Sequence, residues 1–371
     1  MMRAVRPIAL CYGTRPQVIK ASMVRRHLAS VAPVLAVDTG QHYDYALNAL
    51  LYEQLGVAPA DACLEVGSAS HAEQTAAILV RAEALFREHA PAAVAVIGDT
   101  NSTLGCALAA GKLRIPVLHV EAGLRARDTL MAEEINRRVV DSFAQVLCTP
   151  SATATGRMRA EHPEAAVVET GDVAYDVLLA QLAALPDVAG LIPVHARDAY
   201  AYATLHRAEL TDNAEHLRAV LGALAALPVP VVLAVHPRTR AVLDARGIVP
   251  AGEGRLTLIP AVGYRESVAL TREARIVLTD SGGVQREAYW LGVPCVTLRP
   301  ETEWTETVAL GANRLVAPSE AADTLASVVA SALAPGHRGS WDRHAYGAGD
   351  AAARIAAAAA ELLGATAPAG A

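Results

Sequence analysis

Short apolar runs, each of strand length and most ended by a polar or glycine-rich cluster, constrain this chain more than any other feature. In the first half they are Ile8–Tyr12, Val34–Val37, Ala93–Ile97, Val117–Val120, Val146–Cys148 and Val167–Val168. In the second half they are Tyr202–Leu205, Val231–Val235, Leu256–Ile259, Ile276–Leu278 and Cys295–Leu298. Continuous apolar runs fit strands buried on both faces of a parallel sheet. The helix-length segments between them argue for βαβ units. Eleven such runs exceed an eight-stranded barrel, and 371 residues suggest two domains. Pro186, Gly190 and Pro193 cluster within 185–193, which places a linker in or just before that stretch. The expected architecture is α/β, with two Rossmann-like lobes built on parallel sheets and a ligand cleft between them. Residues 1–175 form the first lobe and 176–351 the second, with an alanine-rich C-terminal helix of about 352–371 packing back on the first.

Composition narrows the function. Apolar residues make up 53% and charged residues 19%, so the chain can bury a large core. The net charge of −6 and an aromatic share of 4% argue against a nucleic-acid groove, which needs basic and stacking side chains. The near-apolar stretch Leu217–Val235 is interrupted by Arg218, Pro228 and Pro230 and reads as helix, break and strand, not a membrane span. Cys11, Cys63, Cys106, Cys148 and Cys295 have no metal-ligand spacing and read as buried reduced thiols, consistent with a cytoplasmic protein. No GxGxxG, P-loop, HExxH or GxSxG pattern is present.

Polar clusters follow six of the strands: Gly13-Thr14-Arg15, Gly98-Asp99-Thr100, Glu121-Ala122-Gly123, His206-Arg207, His236-Pro237 and Asp280-Ser281-Gly282-Gly283. Ligands in open α/β sheets bind outside the carboxyl ends of the strands, so six such clusters describe a site. In Asp280–Ala288, two glycines let the backbone approach an anion, and the following helix start points N–H groups at it. The bland reading is an N-cap by Ser281 or Asp280 with Glu287 on the surface. Arg15 and Lys20 put two cations on the first turn after the first strand, where they oppose the helix dipole and need an anionic partner or solvent. Asp99, Glu121, Glu133 and Glu134 are candidate acid/base groups, because carboxylates in a dry cleft can trade protons. For Glu133 and Arg137, a surface i, i+4 pair is the plain alternative. His206, His236 and Arg299 stand at second-lobe strand ends.

In order along the chain, Gly13–Lys20, Thr39-Gly40-Gln41-His42, Gly98-Asp99-Thr100, His119–Arg125, Glu133-Glu134 with Asn136-Arg137, Gly171-Asp172, His206-Arg207, His236-Pro237, Asp280–Ala288 and Thr302-Glu303 resemble the non-hydrolysing UDP-N-acetylglucosamine 2-epimerase family. The resemblance implies a glycosyltransferase-B fold, a homodimer, no cofactor and no metal. It also implies interconversion of UDP-GlcNAc and UDP-ManNAc through elimination of UDP to 2-acetamidoglucal and re-addition. It casts Asp99, Glu121 and Glu133 as the acid/base group, with His206 assisting at the leaving group. Arg15, Lys20, Arg137, His236, Ser281, Gly282, Gly283, Glu287 and Arg299 would hold UDP or the sugar. A hydrolysing relative, a glycosyltransferase of the same fold and a nucleotide-sugar sensor are the competing readings.

Several positions depart from the family pattern. Gln17 replaces a glutamate, Ala132 a proline, Arg286 a glutamate, and Trp304-Thr305 an Arg-Pro pair. Arg286 lies about 100° around the helix from Glu287 and is expected to matter little for UDP. Many family members also carry a second, regulatory UDP-GlcNAc site, built partly from Gln-His-x-Gln and Arg-Gln. Here those read Gln41-His42-Tyr43-Asp44 and Glu73-Gln74. With Gln41, His42 and Arg207 retained but Asp44 and Glu73 acidic, the site is expected to be eroded.

Overall fold

The structure, a computed structural model, describes residues 6–41, 52–197, 199–249 and 255–366. The chain divides into two compact units, residues 1–180 with 344–371, and residues 181–343.

The first unit alternates strands and helices: β1 (Ile8–Tyr12), α1 (Arg15–Leu28), β2 (Val34–Asp38), β3 (Ala62–Cys63), α2 (His71–His89), β4 (Ala93–Ile97), α3 (Asn101–Lys112), β5 (Val117–Val120), α4 (Ala132–Asp141), β6 (Val146–Thr149), α5 (Ala152–Glu161), β7 (Ala166–Glu169) and α6 (Val173–Gln181). The sheet order is β3-β2-β1-β4-β5-β6-β7, all parallel. Strand order reverses between β1 and β4, the position where doubly wound sheets bind ligands. Ile8–Tyr12 and Ala93–Ile97 are buried along their whole length, which requires helices on both sheet faces. The closing helix α14 (Ala351–Thr366), numbered after those of the second unit, packs on α1. Its first turn is anchored by Asp176, which accepts the Ala351 and Ala352 N–H groups at 3.1 and 2.7 Å.

The second unit contains β8 (Ala201–Leu205), α7 (Ala208–Thr211), α8 (Ala214–Ala225), β9 (Val231–Val235), α9 (Pro237–Ala245), β10 (Leu256–Pro260), α10 (Tyr264–Glu273), β11 (Ile276–Thr279), α11 (Gly282–Trp290), β12 (Cys295–Thr297), α12 (Thr305–Ala309), β13 (Asn313–Leu315) and α13 (Ala321–Ala332). Its parallel sheet runs β10-β9-β8-β11-β12-β13, with the reversal between β8 and β11. Two Rossmann-like α/β units on parallel sheets are the components of the glycosyltransferase-B class. The Pro/Gly-rich stretch after Gln181 is not loose: Val188 and Ile192 are buried against Tyr200 and Tyr202.

All eleven expected strands are present, most within a residue of their apolar runs. Two others, Ala62–Cys63 and Asn313–Leu315, escape a search for apolar runs because they are short and lie at the sheet edges. Cys63 corrects the expectation for the thiols. It sits on the edge strand β3 and is exposed, whereas the other four cysteines are buried. Among the described residues, no helix is long and apolar enough to cross a membrane.

Candidate active site

In the first unit the polar ends of β1, β4 and β5 converge on two carboxylates. Asp99 follows β4 and Glu121 follows β5, and these strands are hydrogen-bonded neighbours. Gly98 and Glu121 both have left-handed backbones, with φ of +68° and +69°. That conformation is natural for glycine and costly for glutamate, and strain of this kind concentrates at functional positions. A Cβ on Gly98 would lie 3.8 Å from Glu121 Oε2, so the Glu121 carboxylate stands beside the turn that carries Asp99.

Each carboxylate has its own cation. Lys20, nearly buried in α1, donates to Glu121, and Arg137 of α4 donates to Asp99. Sequence reasoning assigns both cations to the ligand; in the structure both neutralise the acid/base candidates. Glu134, fully buried, accepts from Arg137 at 3.2 Å, Arg138 at 2.7 Å and the Ala126 N–H at 2.9 Å. It orients Arg137 from behind, a task that spacing alone does not reveal. Glu133, one residue earlier, is exposed in the first turn of α4. Asn136 donates to the Asp99 carbonyl at 2.9 Å.

The departure at Gln17 has a structural use. Its Oε1 accepts the Gly13 and Thr14 N–H groups at 2.9 and 3.1 Å, and its Nε2 donates to the Ile97 carbonyl at 2.6 Å. A glutamate could not make that last bond, because an ionised carboxylate only accepts. Arg15 is half-buried at the start of α1. Gly13 needs to be glycine, because a Cβ there would collide with Thr39 Oγ1 and Ser102 Oγ.

In the second unit, Asp280 closes β11. Its Oδ2 accepts the His206 and Arg207 N–H groups, each at 2.8 Å, and its Oδ1 lies 3.0 Å from His206 Nδ1. Burial pushes the Asp280 carboxyl up, but the His206 ring and these N–H groups outweigh it and hold the carboxyl below the usual range. Asp280 therefore orients His206, and Ser281 is the N-cap, accepting from the Val284 N–H at 3.4 Å. The His236 ring centroid is 5.4 Å from that of His206. His236 Nδ1 accepts the Arg238 N–H at 3.2 Å, which puts the ring proton on Nε2. A Cβ on Gly282 would lie 3.4 Å from Trp304 Nε1 and 3.9 Å from an Arg207 terminal nitrogen, while one on Gly283 would lie 3.7 Å from Ser281 Oγ.

Glu287 is half-exposed, yet desolvation by its surroundings, partly offset by Arg286, pushes its carboxyl up to about 7. Arg299 is expected to contact the ligand, but it makes a buried two-pronged pair with Glu303 at 3.1 and 3.2 Å. Arg286 is not an idle position. It is 5% exposed, and its guanidinium lies 3.8 Å from the centroid of the Trp304 ring.

Among the described residues of the expected regulatory site, Gln41, Glu73 and Gln74 have internal partners. Gln41 Oε1 accepts from the Ser102 hydroxyl at 2.6 Å. Gln74 donates to the Gly67 carbonyl and accepts from Asn101, both at 2.8 Å. Glu73 accepts from the Ser70 hydroxyl at 2.8 Å in a capping box, and this holds its carboxyl below the usual range. His42 and Asp44 lie outside the described residues.

The sequence model of UDP-N-acetylglucosamine 2-epimerases matches residues 29–360. The UDP-2,3-diacetamido-2,3-dideoxy-D-glucuronate 2-epimerase of Pseudomonas aeruginosa is 40% identical over 354 residues, covering 93% of this chain and 96% of that protein. A UDP-N-acetylglucosamine 2-epimerase homolog of Methanococcus maripaludis is 40% identical over 314 residues, 83% of this chain and 88% of that one. Methanocaldococcus jannaschii UDP-GlcNAc 2-epimerase, solved in complex with UDP-GlcNAc and UDP, matches with a TM-score of 0.86 at 34% identity, over 96% of this chain and 99% of that chain. With the family's sequence pattern matched across both units, this chain belongs to the UDP-N-acetylglucosamine 2-epimerase family.

Proposed function

We propose that this enzyme interconverts UDP-GlcNAc and UDP-ManNAc by elimination and re-addition of UDP, without releasing the free sugar. One observation carries the reading: Asp99 and Glu121 end neighbouring strands, and each carboxylate is paired with its own cation. The C2 proton of the sugar is not adjacent to a carbonyl, so its direct abstraction is very unfavourable. Departure of UDP builds positive charge at C1 and makes that proton acidic. Loss of the proton gives 2-acetamidoglucal. Re-addition of UDP at C1 with protonation of C2 from the opposite face gives the epimer.

In this reading Asp99 and Glu121 transfer protons on the two faces. Glu133 joins them by its place in the family motif. The second unit takes UDP, with Glu287 accepting from the ribose hydroxyls and the start of α11, His236 and Arg207 meeting the diphosphate. His206, oriented by Asp280, assists departure of the diphosphate.

A second reading concerns the sugar. The Pseudomonas relative aligns over 93% of this chain and by its name acts on a 2,3-diacetamido uronate. Such a substrate has the same C2 chemistry with an added 3-acetamido group and a 6-carboxylate.

The deciding experiment incubates the enzyme with each UDP-sugar in deuterated water and follows the products by NMR. UDP-ManNAc carrying deuterium at C2 is the expected product of UDP-GlcNAc. Turnover of the uronate alone would establish the second reading. Free ManNAc with UDP would mean a hydrolysing enzyme, and turnover only with an added acceptor would mean a glycosyltransferase.

A further inference from the structure

Beneath the two carboxylates lies a charged group that the reaction as described does not use. His119, in the middle of β5, is fully buried. Its Nδ1 is 2.7 Å from Asp141 Oδ1, and its Nε2 is 2.7 Å from the carbonyl oxygen of Gly98. A backbone carbonyl only accepts, so Nε2 carries a proton. Asp141 already accepts from Arg125 at 2.7 Å and from the Gly123 N–H at 3.3 Å. A carboxylate so surrounded is ionised and also only accepts, so Nδ1 carries a proton too. The ring is an imidazolium.

The partners of that imidazolium are the two turns that bear the acid/base candidates. Gly98 immediately precedes Asp99. On the other side, Asp141 holds the N–H of Gly123, whose φ of +83° closes the turn that begins at Glu121. The Gly98 N–H donates to the Val120 carbonyl at 2.9 Å, which completes the link between the turns.

We propose that His119 is a positioning residue of the epimerase reaction: a buried imidazolium that ties the Asp99 turn to the Glu121 turn and sets the distance between their carboxylates. The inference rests on the acid/base reading of Asp99 and Glu121. The charged groups around the ring are Asp141 of α4 in direct contact and Glu121 in the turn after β5. Arg125 faces it through Asp141, Lys20 of α1 through Glu121, and Glu161 of α5 through Arg125. Burial disfavours the charged ring, but the Asp141 carboxylate, the Gly98 carbonyl and Glu121 together raise its pKa above the ordinary histidine value.

The test has two arms. In the first, the intact wild-type enzyme is labelled with 15N-histidine, and the His119 ring is followed by NMR as pH is raised from 6 to 8.5. Both ring nitrogens are expected to be protonated at pH 7.5, above the ordinary histidine range; a neutral His119 ring there would overturn the proposal without any assay of activity. In the second, His119→Gln keeps one donor but loses the charge and the second bond. Its kcat is expected to fall on the order of 10²-fold, the scale of a misplaced reacting group, with the Kd for UDP unchanged. Removing a nearby cation disfavours ionised Asp99 and Glu121, so the acid limb of the kcat profile should move to higher pH. A uniform loss with the acid limb in place would mean a structural histidine and overturn the proposal. If wild-type enzyme exchanges no C2 deuterium with any UDP-sugar, the acid/base reading itself fails, whereas the ring's protonation is still decided by the first arm.

Discussion

The guanidinium of Arg286 stacks on the indole of Trp304, with the Arg286 Cζ atom 3.8 Å from the ring centroid. Both residues depart from the family pattern described above, and they do so at positions that touch. Where the resemblance implies a glutamate and an arginine, this chain has an arginine and a tryptophan, joined by a cation–π contact. Trp304 is 4% exposed, and its Nε1 lies 3.4 Å from where a Cβ on Gly282 would be. The pair therefore braces the start of α11.

Arg286→Leu should lower stability by about 1–2 kcal/mol, the range for a desolvated cation–π contact. Its effect on UDP affinity should be smaller than that of Glu287→Ala. Chemical denaturation and calorimetry with UDP, run on the same preparations, check both. Unchanged stability would show that the stacking contributes nothing.

Glu287 sets the second expectation. Glu287→Ala should weaken UDP binding by roughly 1.5–3 kcal/mol, the value for hydrogen bonds to a charged group. Its carboxyl is pushed up to about 7 from an ordinary 4.5, chiefly by desolvation. An ionised Glu287 is the better acceptor for ribose hydroxyls, so UDP binding should tighten as pH rises toward 7 and level off above it. Folding responds with the opposite sign. The native state holds this proton more firmly than the unfolded chain, so the associated stability is present below about 4.5 and is lost as pH rises through 7. Glu287→Gln should remove both trends. UDP titrates over part of the same range, so the difference between wild type and Glu287→Gln is the quantity to measure.

Asp99→Asn, Glu121→Gln and Glu133→Gln should each lower turnover by at least about 10²-fold while UDP still binds. Lys20 gives the sharper test, because the structure places it on Glu121 rather than leaving it for a ligand. Lys20→Met should reduce kcat more than it weakens UDP binding. A variant with normal kcat and a large loss in UDP affinity would return Lys20 to the ligand.

Apolar runs followed by polar clusters made both parallel sheets and the positions of Asp99, Glu121, His206, His236 and Ser281 legible in the sequence. The partners of the charged residues were not legible. Lys20 reads as a ligand cation because a cation near a helix start needs an anion, Arg137 through the family resemblance alone, and Arg299 because it follows a second-lobe strand. The anions that meet them, Glu121, Asp99 and Glu303, come in the first two cases from other elements, brought close only by the sheet order. Glu134 and Asp280 illustrate the same limit. Each orients a neighbour from a buried position, and local spacing cannot distinguish such a residue from a surface charge or a helix cap.

The resemblance implies a second UDP-GlcNAc site in many family members, built partly from Gln-His-x-Gln and Arg-Gln. In this chain the Gln41 carbonyl oxygen is engaged by Ser102, Gln74 bridges Gly67 and Asn101, and Glu73 caps α2 through Ser70. Turning any of these toward a diphosphate would break an internal hydrogen bond, and Glu73 would bring a like charge. The enzyme should therefore need no UDP-GlcNAc to become active. Starting from pure UDP-ManNAc, turnover should begin without a lag and should not respond to traces of UDP-GlcNAc. A lag abolished by such a trace would mean that the activating site persists despite these contacts. Glu73→Arg offers a check from the other direction: it removes the acidic capping group and restores the family's cation. If the capping box and the like charge are what weaken the site, this variant should acquire a measurable response to UDP-GlcNAc that the wild-type enzyme lacks.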